Sequence, residues 1–110
     1  MIEIEEYLCS DGSSPFRDWF DGLDVQAAAK VNTYVTRIGN GNTSNLKSVG
    51  GGVYECCIDW GVGYRVYLGE DGKNLVILLG GGTKRQQQKD IDRAKQLWKE
   101  YKRRKKIERD

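Results

Sequence analysis

The chain has no histidine among its 110 residues. That removes the side chain most often used for general acid–base chemistry and for holding metals. Cysteine is scarce: Cys9, Cys56 and Cys57 make an odd count. Neighbouring residues on a strand point to opposite faces, so Cys56 and Cys57 do not converge. No CxxC pair occurs, so neither a disulfide framework nor a metal site follows. Reduced thiols, no metal and no cofactor are expected. No apolar run approaches the roughly 20 residues of a membrane span, and no membrane association is expected. The acidic, strand-like start MIEIEE is not a signal peptide, which makes the cytoplasm the expected compartment. The phosphate-loop patterns GxxxxGK[ST] and GxGxxG are also missing around the glycines at 80–82, where a flexible strand exit is expected.

Hydrophobic residues make up 38% and charged residues 31%, which fits one globular domain over residues 1–110. Net charge is only +2, but it is unevenly spread. Residues 1–82 carry 6 basic and 11 acidic side chains, whereas residues 83–110 carry 12 basic and 5 acidic ones. A basic last quarter on an acidic body points to an anionic partner, most often a nucleic acid.

Alternation over residues 2–5 predicts a first strand. The only proline, Pro15, suits the first position of a helix capped by Ser14, and Phe16, Trp19, Phe20 and Leu23 follow helical spacing. Asp24 caps a second helix whose apolar stripe is Ala28, Val31, Val35 and Ile38. Residues 15–39 therefore form a helical hairpin. Residues 43–52 read as a loop holding Lys47 and three glycines. Strands follow at 53–60 and 64–69, joined by the turn Gly61-Val62-Gly63. The apolar run 74–79 belongs in the middle of a sheet. A last helix spans 86 to about 104, with Ile91, Ala94, Leu97, Trp98 and Tyr101 on one stripe. The basic run 102–106 is expected to fray into solvent. Trp19, Trp60 and Trp98 fall on apolar stripes and are assigned to the core. The resulting order, β-α-α-β-β-β-α, gives an α+β domain with helices packed on an antiparallel sheet.

On strand 53–60 the even positions Tyr54, Cys56, Ile58 and Trp60 are apolar, and the odd positions present Glu55, Cys57 and Asp59. On the next strand Arg65 and Tyr67 lie opposite an apolar face of Tyr64, Val66 and Leu68. If both apolar faces meet the helices, Glu55, Arg65 and Tyr67 share the other surface, with Lys84 and Arg85 close by. Those residue types suit phosphodiester chemistry. Cleavage of RNA by its 2′-hydroxyl needs the extra negative charge on phosphate stabilised, for which Arg offers a planar fork and Lys a point charge. It also needs proton transfer, and without histidine Glu55 is the candidate base and Tyr67 the candidate acid. The competing readings are a plain cross-strand Glu55–Arg65 ion pair, a packing role for Tyr67, and a last helix whose Lys stems cover apolar surface.

The blocks LKSVGGGVYE, IDWGVGYRVYLGEDG and LVILLGGGTKRQQQKDI, followed by Ala94 and Trp98 in the last helix, resemble the RelE/ParE toxin superfamily, in particular its HigB-like branch of addiction module killer proteins. The resemblance covers the chain from the first strand through Trp98. It implies a RelE-like fold, a type II toxin, and a cognate antitoxin, here expected to be a helix-turn-helix DNA-binding protein. It implies metal-independent cleavage of mRNA in the ribosome, with Arg65 on the scissile phosphate and Lys84 or Arg85 as the second cation; Lys47, Lys89 and Arg93 are assigned to RNA binding. Two other activities remain open at this point: a ParE-like gyrase poison, and a degenerate toxin acting only in antitoxin binding and operon regulation.

Overall fold

Local signals set the first helices. In the computed structural model, which describes residues 1–109, Ser14 caps helix α1 (Pro15–Asp21) by accepting from Arg17 N at 3.0 Å. Asp24 caps α2 (Val25–Gly39) by accepting from Ala27 N at 2.8 Å. Strand β1 (Glu3–Glu6) precedes them. Strands β2 (Leu46–Gly50), β3 (Val53–Ile58), β4 (Tyr64–Glu70) and β5 (Leu75–Thr83) follow. A single 3-10 turn, Lys84–Gln86, then leads into α3 (Gln87–Arg109).

The protein is α+β, and its five strands form one mixed sheet in the order β1-β5-β4-β3-β2. Two expectations are corrected here. The sheet is not wholly antiparallel, because β1 pairs with β5 in parallel. The stretch expected to be a loop also contains β2, paired antiparallel with β3. Strand β2 escapes a one-face alternation reading because its two apolar residues face opposite sides: Leu46 packs into one core and Val49, an odd number of residues on, into the other. Its register also shifts between Ser48 and Gly50. The turn after it is built from Gly50, Gly51 and Gly52, all at positive φ, a conformation side chains other than glycine's resist.

The sheet carries an apolar core on each side. On one, Phe16 of α1 with Val31 and Ile38 of α2 packs on Cys56, Ile58, Val66, Leu68, Val76 and Leu78. On the other, Ile91, Ala94 and Trp98 of α3 pack on Val53, Tyr67, Ile77 and Leu79. The apolar run of β5 is the trace of this sandwich, since a strand covered on both faces needs no polar side. The surface expected to lie open opposite the helices is therefore roofed by α3.

The glycines at 80–82 continue β5 instead of releasing it. A bulge in the β4–β5 pairing lies between Tyr67 and Leu68, whose partners are Gly80 and Leu78, leaving Leu79 as the extra residue. It resets the phase of the strand. Gly81 then faces α1, where a Cβ would strike the Trp19 ring, and Gly82 faces α3, where it would strike Asp90.

The end of α3 does not fray at 102–106 either. The helix runs to Arg109. Arg104 donates to the Tyr7 hydroxyl and to Leu8 O, and Lys105 pairs with Asp71. These contacts tie the basic segment to the acidic body. Trp98 is buried at 5% exposure, whereas Trp19 is only partly buried and Trp60 sits past the end of β3, stacked on Tyr64 at 6.2 Å. Among the described residues no helix is long and apolar enough to cross a membrane.

Candidate active site

Strand register brings the sequence candidates together in two rows on the face under α3. Lys47 lies opposite Glu55, and Glu55 opposite Tyr67. One step along, Cys57 lies opposite Arg65, and Arg65 opposite Gly82. Directly opposed residues share a face, so the charged groups converge.

Glu55 is the hub. It is 1% exposed, and its Oε2 accepts from Tyr67 Oη at 3.1 Å and from Gln87 Nε2 at 2.8 Å. Its Oε1 accepts from Cys57 Sγ at 3.3 Å, and Arg65 Nε stands 3.5 Å from Oε2. Burial pushes the carboxyl up, but the three donors and the Arg65 charge outweigh that and hold it below the ordinary carboxylate value of 4.5. Glu55 is thus a saturated, buried carboxylate. Tyr67 is 0% exposed, and burial together with the Glu55 charge pushes its hydroxyl up. Neither side chain presents a free proton-transfer atom to solvent. Cys57 is raised by burial and by Glu55, partly opposed by Arg65 and Lys47, while Cys56, on the other face, is pushed up to about 11 by burial. Neither is an activated thiolate.

Arg65 behaves differently. Its side chain is 16% exposed, and its Nε is the single buried side-chain polar atom without a hydrogen-bond partner among the described residues. The side chain lines a cavity of about 410 Å³, together with Lys84, Cys57 and the loop at residues 59–63. Lys84 itself is exposed. A guanidinium held from behind by Glu55 and an exposed ammonium lining the same cavity are the donor types that suit a phosphate or another oxyanion.

The remaining RNA-binding candidates do not join this cavity. Lys47 is exposed on the edge strand, and Arg85 is exposed on the 3-10 turn. Lys89 and Arg93 lie on the outer side of α3, where Arg93 lines a smaller cavity of about 170 Å³ with Tyr67, Gly80, Gly81 and Asp90.

Two residues of the first turns of α3 went unnoticed in the sequence: Gln87, which closes the Glu55 shell, and Asp90, seated on Gly82. Both sit on the inward stripe that continues to Ile91, Ala94 and Trp98. Polar residues on an otherwise apolar stripe are the signal that marks them.

No family model matches the chain. An uncharacterized protein of Haemophilus influenzae is 46% identical over 86 residues, covering 77% of this chain and 87% of that protein. At that identity and coverage, the chain belongs to the family of this Haemophilus influenzae protein.

Proposed function

We propose that the protein is a toxin of a type II toxin–antitoxin system with a RelE-like fold, acting in the cytoplasm as a metal-independent, ribosome-dependent endoribonuclease on mRNA. The observation that carries this reading is the Arg65–Lys84 cavity: a guanidinium paired from behind with buried Glu55 and an exposed ammonium lining the same cavity, beside a strongly basic helix. In the reaction, Arg65 and Lys84 bind the scissile phosphate and stabilise the charge that grows on it as the 2′-oxygen attacks. Holding that phosphate in line with the hydroxyl supplies much of the acceleration. Glu55 aims Arg65 from behind, and Tyr67 and Gln87 fix Glu55. The cations of α3 hold ribosomal RNA, and the partner that silences the toxin is an antitoxin of the helix-turn-helix class. The sequence blocks that resemble the HigB-like branch support the same reading.

Induced expression in a bacterial host tests it. Wild-type protein is expected to arrest growth and to create new 5′ ends within mRNA, read by primer extension. Arg65→Ala and Lys84→Ala are each expected to abolish both effects. Full toxicity in both variants would remove the site assignment. Growth arrest with an SOS response and no new 5′ ends would replace the nuclease by a gyrase poison.

A further inference from the structure

Behind the Arg65–Lys84 cavity, Glu55 is saturated and Tyr67 fully buried, so neither takes a proton from a substrate there. Asp59 is the carboxylate that lines the cavity itself. Ile58, Tyr64 and Thr83 form the last paired row across β3, β4 and β5. Asp59, Gly63 and Lys84 stand one residue beyond that row, and alternation turns this step to the side of Cys57 and Arg65. Gly63 leaves the middle of the step empty, since a Cβ there would meet nothing within 4 Å. Two strand spacings, roughly 10 Å of backbone, separate Asp59 from Lys84. A carboxylate and an ammonium thus flank a gap with Arg65 further in, and all three border one cavity of about 410 Å³. Asp59 is exposed, and among the described residues it accepts no hydrogen bond and joins no ion pair. Asp11 and Asn42 each accept from a backbone N–H two residues on, as turn residues do. Asp59 does not, so forming the turn does not account for its carboxylate.

We propose that Asp59 is the catalytic proton acceptor of this cavity, acting on the 2′-hydroxyl of the RNA whose phosphate Arg65 and Lys84 hold. The inference rests on the nuclease reading. Two cations against one carboxylate leave the cavity net positive, so it still takes an anion. The Asp59 carboxylate takes the 2′-hydroxyl proton as the 2′-oxygen bonds to phosphorus. The bond from phosphorus to the 5′-oxygen breaks, and that oxygen takes a proton from solvent. The products are a 2′,3′-cyclic phosphate and a 5′-hydroxyl, and protonated Asp59, being exposed, returns its proton to solvent. The other titratable groups lining the cavity are Cys57 of β3, Tyr64 and Arg65 of β4, and Lys84 after β5. Burial and Glu55 push the Cys57 thiol up, so it stays protonated in acid. Glu55, behind Arg65, is held below the ordinary carboxylate value, and removing the Asp59 carboxylate tells the two acids apart.

The test is single-turnover cleavage of mRNA on programmed ribosomes as a function of pH. Wild-type rate is expected to climb along an acid limb as Asp59 ionises. Because Asp59 is exposed, Asp59→Asn is expected to melt with the wild type. It is expected to lose the limb and at least about 100-fold in rate, while binding ribosomes loaded with 2′-O-methyl mRNA at least as tightly as wild type, since a negative charge near the phosphate is gone. Asp59→Glu, which restores the carboxylate, is expected to recover the limb and part of the rate. Arg65→Ala is expected to weaken binding and keep the limb. Asn-variant cleavage with the wild-type limb overturns the role of Asp59 and leaves the nuclease reading standing. Slow cleavage by the Asn variant with weakened binding also overturns it, because a positioning role then accounts for the loss. No cleavage by the wild type overturns both readings.

Discussion

Glu55 joins β3, β4 and α3 through one carboxylate, and its chemistry follows from being both buried and fully bonded. A buried charge is tolerated only when its lone pairs are used, and here Tyr67, Gln87 and Cys57 use them while Arg65 balances the charge. Because its folded pKa lies below the ordinary 4.5, ionised Glu55 stabilises the fold above that value. That contribution disappears as pH falls through the lower folded value. Glu55→Gln keeps the volume but loses the charge and leaves donors facing an amide, at a cost of about 1–3 kcal/mol. In urea melts the wild type should lead the Gln variant near neutral pH, and the lead should shrink in acid, below about pH 4. A lead of equal size at both pH values would show that the charge of Glu55 is not what stabilises the site.

At the scale of elements, the site depends on how α3 is seated. Two glycines on the sheet make room for it: Gly82 under Asp90, and Gly69, where a Cβ would come within 2.5 Å of the Trp98 ring. Trp98 is buried and stacked on Tyr101 at 5.1 Å, so it has little freedom to yield. Gly69→Ala should therefore lift the middle of α3 and destabilise the protein by about 1–3 kcal/mol. Hydrogen exchange should quicken in α3 ahead of α1 and α2; uniform quickening would mean that α3 is not a separately seated layer. The same seating explains what the sequence could and could not disclose. Caps, stripes and turn glycines are local, so both early helices, four of the five strands and the stripe of α3 were legible. Alternation also placed Glu55, Arg65 and Tyr67 on one face, as the register has them. Which helix covers which face is not local. An apolar run in β5 shows that two faces are buried but not by what, and α3 over the charged face turned Glu55 and Tyr67 from candidate proton carriers into buried supports. The phase reset at Leu79 was equally hidden, and with it the place of Asp90 over Gly82.

Over the whole molecule, an acidic body bears a helix that carries most of its positive charge. Part of that charge is spent inside the fold. Arg104 reaches Tyr7, Lys105 pairs with Asp71, Arg103 pairs with Glu100, and Lys102 lies 5.9 Å from the Trp98 ring. Lys89, Arg93, Lys99 and, near the helix end, Lys106 are exposed and make no such contact; the first three are the ones along the body of α3 that an anionic partner meets. Binding to a polyanion releases about 0.7–0.9 counterions per neutralised phosphate. The triple variant Lys89→Gln, Arg93→Gln, Lys99→Gln should therefore flatten the plot of log affinity against log salt by about 2 to 3 in slope, measured on purified ribosomes. Lys105→Gln, whose ammonium is engaged with Asp71, should lower thermal stability and leave the slope within error. The reverse pattern, a flat response in the triple variant and a changed slope in Lys105→Gln, would place the RNA contact at the end of α3 instead of along its outer face. The distinction matters because Lys89 and Arg93 lie in the first turns of α3, next to Gln87, which bonds the Glu55 that holds Arg65, whereas Lys105 is about five turns from Gln87 along the helix.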